Sequence, residues 1–338
     1  MRRDGPIGNT VLMSDVAHSV GVSVSTVSRV LNNQPSVSEK TRKKVEKAIK
    51  ELHYIPDENA RTLLRRTSKT IGFLIPDISN QYYAEVFKGT QEVMLKAGYS
   101  IFLTMTGYEE KNENASLREM SGRGVDGLIF MSFYHVNDDT IRLIGKTNVV
   151  AIQTTIPNVN MIETTDDAGE ADAVEHLIAL GHTKIAFVSH DLKTPRKRFR
   201  GYASALEKHG IPLRSDYLVD GYTPDTLGYE ATKQLLALPD PPTSIAFIND
   251  FTACGAYVAV REKGLRIPQD ISLVGFDDLQ VAQILDPPLT TVHQPIREMG
   301  RSAAQMLLNN MQGYNGTRKT ILLPTELVVR GSTAPPRR

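Results

Sequence analysis

The sequence has one cysteine, no tryptophan and no long apolar run. Cys254 has no partner for an intramolecular disulfide, which is typical of proteins in a reducing compartment rather than of disulfide-bonded secreted scaffolds. No apolar stretch approaches the roughly 20 residues that cross a bilayer, and residues 1–6 are not followed by a continuous apolar signal region. We therefore expect a cytoplasmic protein that does not bind a membrane.

The charge of the chain is unevenly distributed. The 338 residues are 41% hydrophobic and 23% charged, which is ordinary for a globular protein of two or three domains. The net charge is only +1, yet residues 1–70 carry 13 Lys and Arg against 7 Asp and Glu. The remainder carries 26 against 31. This asymmetry indicates a basic head that binds a polyanion, attached to a mildly acidic body.

The basic head has the pattern of three short helices. Two apolar patterns at helical spacing flank Gly21, which can end a helix in the left-handed conformation, and Ser23, whose hydroxyl can cap the next helix. A third helix follows Ser38. The second helix exposes short hydroxyl side chains and Arg29, a composition that suits the major groove of DNA. The pattern therefore favours a helix-turn-helix head over a plain three-helix bundle with a solvated basic surface.

Several motifs of the head stand in a fixed order. They read DVA at 15–17, GVS at 21–23, TVSRVLN at 26–32 and LHYIP at 52–56. With these motifs the head resembles that of the LacI/GalR transcription regulators, except that Leu12 stands where the family often has a threonine cap. Body motifs such as IPDISN at 75–80 and VGFDD at 274–278 extend the resemblance from about residue 12 to 332.

The resemblance implies a set of DNA contacts. By position, Val24 and Ser25 face operator bases and Arg29 contacts a guanine. The resemblance also implies that phosphates or neighbouring base edges are contacted by Ser23, Thr26, Ser28, Asn32, Ser38 and Tyr54. The resemblance also makes residues 57–70 a hinge helix that pairs with a dimer mate in the minor groove, with Ala60 at the helix contact and Leu63 wedged into a base step. So short a helix is marginal alone, and a plain linker is the other interpretation. The implied partners are a palindromic double-stranded operator and a second copy of the chain.

From residue 71 the pattern changes to apolar strands that alternate with amphipathic helices. Continuous apolar strands separated by helices indicate parallel sheets covered on both faces, and the length favours two α/β lobes with a cleft between them. The resemblance likewise implies a core like that of periplasmic binding proteins. The predicted organisation is a flexible extension (1–11), an all-α helix-turn-helix head (12–56), a hinge helix or linker (57–70), a two-lobed effector-binding and dimerisation domain (71–332) and a tail (333–338).

Ligands of such sheets bind beyond the carboxyl ends of the strands. Asn80, Asn249 and Asp277 each follow a predicted strand, although Asp and Asn at such positions commonly cap the next helix. The resemblance implies that Arg198 grips effector hydroxyls beside Asn249 and Asp277, and Tyr222 could stack on a sugar face. A guanidinium, a carboxylate and an amide together can bond several vicinal hydroxyls, which suits a sugar or a sugar derivative.

These observations favour a transcriptional regulator, most simply a repressor controlled by a small metabolite that either induces or corepresses. The alternative within the class is a carbon-catabolite regulator whose co-effector is a phosphorylated carrier protein. A sugar-binding transport protein is an alternative from another class. We expect no enzyme, no metal and no cofactor, because no catalytic constellation is present. The sequence G-x-G-x-x-G at 122–127 matches the dinucleotide-binding motif, but here it precedes a predicted strand. A phosphate-binding motif of this kind follows a strand and begins a helix, so we interpret residues 122–127 as a turn.

Overall fold

The computed structural model describes residues 11–31, 34–54, 67–131, 136–145, 147–190, 197–220, 226–313 and 318–337. It divides into two compact units, a head up to Ser68 and a body from Lys69 onward. Residues 57–66 of the predicted hinge and nearly all of the predicted N-terminal extension lie outside the described residues, whereas Thr70, the last residue of the predicted hinge, begins the first strand of the body.

The head is a small three-helix unit, as the sequence predicts. Its helices are α1 (Met13–Val20), α2 (Val24–Leu31) and α3 (Glu39–Glu51). Gly21 ends α1 with a φ of 72°, which is the left-handed conformation that glycine adopts without strain. The Ser23 hydroxyl accepts a hydrogen bond from the Thr26 amide at 3.2 Å and so caps α2. In place of a threonine cap, the Asp15 carboxylate accepts from the Leu12 amide at 2.7 Å at the start of α1.

Lobe 1 of the body is built on a parallel sheet. Its described strands are β1 (Thr70–Ile75), β2 (Ser100–Met105), β3 (Gly127–Met131), β4 (Asn148–Ile152), β5 (Asn160–Thr164) and β11 (Thr320–Leu323), in the spatial order β11-β5-β4-β3-β1-β2. Its helices are α4 (Gln81–Lys96), α5 (Glu110–Gly122), α6 (Asp138–Ile144) and α12 (Ile296–Met311). Ile71, Phe73 and Ile75 of β1 pack with the residues of α4 and α12, while Leu74 packs with those of α5. Both faces of β1 are therefore buried, which explains its continuous apolar sequence.

Lobe 2 repeats this plan with one difference. Its described strands are β6 (Ile185–Val188), β7 (Leu218–Val219), β8 (Ser244–Phe247), β9 (Ser272–Asp277), β10 (Thr290–His293) and β12 (Glu326–Val328), ordered β12-β10-β9-β8-β6-β7. Its α-helices are α7 (Asp166–Ala179), α8 (Lys197–Lys208), α9 (Leu227–Leu236), α10 (Asp250–Glu262) and α11 (Gln280–Ile284). The edge strand β12 runs antiparallel to β10, so the prediction of parallel sheets holds for the other described strand pairs.

The chain passes between the lobes at three crossings. They lie between β5 and α7, between β10 and α12, and between β11 and β12. Two of the crossings are bonded to each other. The Thr325 amide donates to the Thr165 hydroxyl at 2.9 Å, and the Thr325 hydroxyl donates to the Thr165 carbonyl at 3.0 Å. These three crossings connect the two lobes, and together we call them the pivot.

The C-terminal residues are bound to lobe 2. The Leu273 amide donates to the Ser332 carbonyl at 2.9 Å, and the Ala334 amide donates to the Ser272 hydroxyl at 3.1 Å. The structure thus includes Ala334 in the packing of the body, although the sequence pattern sets residues 333–338 apart as a tail.

The helix pair α4 and α12 gives a first prediction. The backbones approach so closely that a Cβ added to Gly300 would lie 2.0 Å from the Val86 carbonyl oxygen. Because neither backbone can move alone, Gly300→Ala is expected to lower the free energy of unfolding by about 1–3 kcal/mol. Urea unfolding measures this. Gly122→Ala is the matched control, since nothing lies within 4 Å of its added Cβ. An equal effect of the two substitutions would contradict the close helix contact.

Candidate DNA-binding surface and interlobe site

Helix α2 presents a short polar face to solvent. Val27 and Val30 point into the core of the head, so the opposite side of the helix carries Ser25 and Arg29, both exposed, and Val24, which is 47% exposed. This face is narrow and contains only one long side chain. A helix of that shape fits into a major groove, with the arginine able to donate two hydrogen bonds to a guanine edge.

The other predicted DNA contacts have varied surroundings. Ser23 lies next to Ser25 and Thr26, with hydroxyl oxygens 2.8 and 2.9 Å away. Ser38 is exposed and caps α3 by accepting from the Thr41 amide at 3.3 Å. Ser28 is half-buried. Tyr54 is buried in the core of the head, so its ring at least has a packing role. Asn32, Ala60 and Leu63 lie outside the described residues.

In the body, Arg198 of α8 is the centre of a buried polar cluster. Its Nε donates to Asp166 Oδ2 at 3.0 Å, its Nη2 lies 3.4 Å from Asp277 Oδ1, and its Nη1 donates to the Ile248 carbonyl. The guanidinium stacks 3.7 Å from the centre of the Phe276 ring. The sequence prediction that Arg198 and Asp277 lie together is consistent with this geometry.

The backbone at Asp277 is held in an unusual conformation. Asp277 and Asp278 have φ values of 112° and 57°, which are rare for residues with a side chain. Asp250 stabilises this turn, because its Oδ2 accepts from the Leu279 amide at 2.7 Å while its Oδ1 accepts from the Thr291 hydroxyl at 2.5 Å. Asp250 is thus a buried support behind the site.

Lobe 1 contributes Tyr82 and Gln153 to the same cluster. Tyr82 lies in the first turn of α4, and its phenol is close enough to Gln153, which directly follows β4, for that side chain to influence the pKa of the phenol. Tyr82 is buried and close enough to Asp166, Arg198 and Asp277 to feel their charges. Since Arg198 and Asp277 belong to lobe 2, the cluster spans both lobes.

Gln294 connects this cluster to the pivot. It lies in the second crossing, where its Nε2 donates to Asp277 Oδ1 at 2.6 Å and its Oε1 accepts from the Thr164 hydroxyl at 2.9 Å. Thr164 and Asp166 flank the first crossing. A ligand that changes the partners of Arg198 or Asp277 therefore acts on groups bonded to two of the three crossings.

Asn80 and Asn249 both act as helix caps. The Asn80 side chain accepts from the Tyr82 amide at 3.0 Å and that of Asn249 from the Thr252 amide at 2.8 Å. They stand at the carboxyl ends of β1 and β8 respectively, so an effector role for them stays a prediction. Tyr222 lies outside the described residues.

Sequence reasoning missed Gln153, Asp166 and Gln294. Gln153 directly follows β4, and the rule that picked out the residues after other strands would have found it. Asp166 and Gln294 were harder to find, because β5 and β10 were not recognised as strands.

The low-polarity surroundings shift the titration of the acidic groups. Burial raises the pKa of Asp277 to about 7, although Arg198 and Gln294 oppose the shift. Burial also raises the pKa of Glu170 on α7 from its usual 4.5 to about 8, again against the attraction of Arg198. Burial raises the pKa of the Tyr82 phenol well above its usual value. Near neutral pH the cluster therefore tends to hold protons.

The raised pKa of Glu170 predicts a stability change with pH. The folded protein keeps this carboxyl protonated to higher pH than the unfolded chain does, so stability falls as pH rises from about 4.5 through about 8. Glu170→Gln removes this loss and is expected to gain about 2–4 kcal/mol over the unsubstituted protein between pH 5 and pH 9. Urea unfolding at both pH values measures it. Glu207 is exposed on α8, so Glu207→Gln is the control, and its stability should change with pH as that of the parent protein does. If the free energies of unfolding of Glu170→Gln and the parent changed equally between the two pH values, the raised pKa of Glu170 would be contradicted.

Two kinds of feature are absent from the described residues. No group of three or more His, Cys, Asp or Glu side chains in the described ranges is arranged to hold a metal ion. None of the helices in the described part of the chain is long and apolar enough to cross a membrane.

Comparison with known proteins gives two matches to family models. Residues 12–57 match the model described as bacterial regulatory proteins of the lacI family, and residues 174–333 match a periplasmic binding protein-like domain. Catabolite control protein A of Priestia megaterium is 37% identical over 331 residues, which are 96% of this chain and 99% of that protein.

Solved structures match as well. The lac repressor dimer bound to operator and the anti-inducer ONPF aligns with a TM-score of 0.86 and 31% identity, covering 96% of this chain and 100% of the other. A LacI family transcriptional regulator from Enterococcus faecium with bound ribose aligns with a TM-score of 0.72 and 30% identity, covering 79% and 100%.

Proposed function

The chain belongs to the LacI family of bacterial regulatory proteins, and from this membership we propose that it is a homodimeric repressor of palindromic operators whose cleft binds a sugar or sugar derivative. It is a DNA-binding transcriptional regulator. A cytoplasmic location follows from the proposed role, because operator and effector must both reach the same molecule.

The proposal is carried by the position of Arg198. Its partners Asp166 and Asp277 are bonded, through Thr164 and Gln294, to chain segments that cross between the lobes. An effector that binds there and prefers one arrangement of the lobes shifts the population between the two arrangements. The ribose-bound relative supports a sugar as the class of ligand.

In the head we propose that Val24, Ser25 and Arg29 contact base edges. Ser23, Thr26, Ser28 and Ser38 are proposed to bind phosphates or neighbouring base edges. Phosphate contacts release counterions, so operator affinity should fall steeply with added salt.

The experiment that tests this function is selection of bound duplexes from a random DNA pool, with and without a library of sugars. We expect a two-fold symmetric consensus whose enrichment changes when the effective sugar is present. Enrichment of no symmetric sequence under any condition would contradict the proposal.

Dimerisation is proposed from exposed apolar side chains on lobe 2. Phe251 and Val258, seven residues apart on α10, and Ile284 on α11 expose between 37% and 71% of their surface. We propose that a second copy covers these side chains, and the similarity to the lac repressor, which was solved as a dimer, supports a dimer. Sedimentation equilibrium is expected to give about twice the chain mass of 37.4 kDa. A single species at the chain mass at micromolar concentration would rule the dimer out.

A second candidate function is co-control by a phosphorylated carrier protein docked on the body. The similarity to a catabolite control protein supports it. Operator titration with the phosphorylated and the unphosphorylated carrier tests it, because only the phosphorylated form should tighten binding. Equal operator affinity with both forms would rule it out.

A further inference from the structure

The guanidinium of Arg198 is already committed to acceptors of the protein. Nε faces Asp166, Nη1 faces the Ile248 carbonyl, and Nη2 faces Asp277. One flat face of the group is covered by Phe276 at 3.7 Å. An anion normally binds arginine through two parallel N–H bonds on one edge. Here the edge that includes Nε and the two terminal nitrogens are engaged by protein oxygens, so a phosphate or carboxylate would have to displace an aspartate.

The charge around Arg198 is also unfavourable to an anion. Asp166, Asp277 and Glu170 are less than a tenth exposed, and all three interact with the same guanidinium. Within the described residues, Arg198 is the one cation that contacts Asp166 or Asp277. The cluster therefore has more acidic groups than basic ones.

The remaining polar groups of the cluster are neutral. The phenol of Tyr82 and the side-chain amides of Gln153 and Gln294 offer hydrogen bonds without charge. They can bond the hydroxyls of a ligand, yet they cannot balance a phosphate. Burial raises the pKa of Asp277 to about 7 and that of Glu170 to about 8, and the nearby Asp166 adds to both shifts.

From this charge balance we propose that the effector carries hydrogen-bond donors, as hydroxyl or amino groups, and no negative charge, so that sugar phosphates, sugar acids and nucleotides are excluded. The inference rests on the effector role proposed above and narrows its ligand class. The carboxylates of Asp166 and Asp277 accept from the ligand, and Arg198 holds them in place.

The size of the exclusion follows from Coulomb's law. At an effective dielectric constant of about 20, two like charges about 5 Å apart repel enough to weaken binding about a hundredfold. A phosphate beside Asp166 meets such a repulsion, and so does one beside Asp277 at a pH above about 7, where that carboxyl is ionised. The hydroxyl group of the unphosphorylated ligand meets none.

The test uses matched ligands in calorimetric titrations of the full chain. The sets are glucose, glucosamine and glucose 6-phosphate; ribose and ribose 5-phosphate; and adenosine and its 5′-monophosphate. We expect the uncharged or amino member of a set to bind about a hundredfold tighter than the phosphorylated member. The comparison of glucose with glucosamine distinguishes a hydroxyl ligand from an amino ligand. A phosphorylated member that binds as tightly as its parent would overturn the proposal.

A substitution in the cluster tests the charge balance even if none of these sugars is the effector. Asp166→Asn keeps an oxygen that accepts from Arg198 but removes one negative charge. With inorganic phosphate and glucose 6-phosphate as probes, this variant is expected to bind at least tenfold tighter than the parent. Asp277→Asn provides a second, independent removal of charge. Equal phosphate binding by the parent and both variants, with normal thermal melting, would overturn the proposal.

Asp167→Asn is the matched control. Asp167 is the next residue along α7 and is exposed, so its substitution removes the same charge from the surface and should leave phosphate binding unchanged. Operator titration of the same samples keeps the two proposals separate. A protein that binds no operator contradicts the proposed function, whereas the charge preference is read from the ligand titrations alone.

Discussion

Arg29→Ala is expected to remove most of the preference of the protein for its operator. Arg29 is the one long side chain on the exposed face of α2, and an arginine bonded to a guanine edge contributes about 1–3 kcal/mol of discrimination. A palindromic operator takes up two heads, so the loss for a dimer is about thirtyfold or more in operator affinity. Fluorescence anisotropy with the selected duplex and with a shuffled duplex measures it.

The shuffled duplex separates base reading from phosphate binding. Binding to this duplex depends on phosphates, so Arg29→Ala should change it far less. Arg123→Ala is a suitable control, because Arg123 is an exposed arginine of lobe 1 that pairs with Glu119 at 2.8 Å. If both duplexes lost affinity equally, the assignment of Arg29 to a base would be wrong.

Arg198→Ala is expected to abolish the response to effector and to destabilise the body. Removing the guanidinium leaves Asp166 and Asp277 buried without their cation, which costs about 3–5 kcal/mol in the free energy of unfolding. Operator affinity without effector should stay within a fewfold of that of the parent wherever the variant is folded, because the head is a separate compact unit.

Two further variants make this prediction specific. Arg214 also bridges two aspartates, Asp216 and Asp240, both at 2.6 Å, but it does so near the surface, so Arg214→Ala should lower the stability far less than Arg198→Ala does. In the Arg198→Ala background, Asp277→Asn removes one stranded charge and should recover part of the stability. If the Arg198→Ala variant were as stable as Arg214→Ala and still responded to effector, the assignment of Arg198 to the effector site would be wrong.

Much of the fold followed from the apolar pattern of the sequence. The apolar pattern predicts seven strands, at 71–75, 100–105, 127–131, 149–152, 184–189, 245–248 and 272–276, and each agrees with the structure to within one residue at each end. Most of them are buried and therefore largely apolar, whereas β2 is an edge strand with exposed ends. Among the strands that were missed, β5 has five residues and is largely buried, and the others have four residues or fewer. β7 has two residues, and β11 is an edge strand whose Ile321 and Leu322 face solvent. Such strands are fixed by their neighbours in the sheet rather than by their own composition.

The interlobe site was only partly predictable. Arg198 was selected by resemblance and Asp277 by its place after a strand, and the structure brings them together. Gln153 could have been picked out by its place after β4, whereas Gln294 could not, because it lies in a crossing between the lobes. Side chains from crossings that lie far apart in the sequence leave no local pattern to read.

Reciprocal titration of operator and effector tests the central claim, that one chain couples the ligand in its cleft to the DNA on its head. Operator affinity is measured with and without saturating effector, and effector affinity with and without saturating operator. Thermodynamic linkage requires the two factors to be equal, and a coupling of about 1–3 kcal/mol predicts a change of about 5- to 150-fold in each. Operator affinity that stays constant while the effector demonstrably fills the cleft would contradict the account.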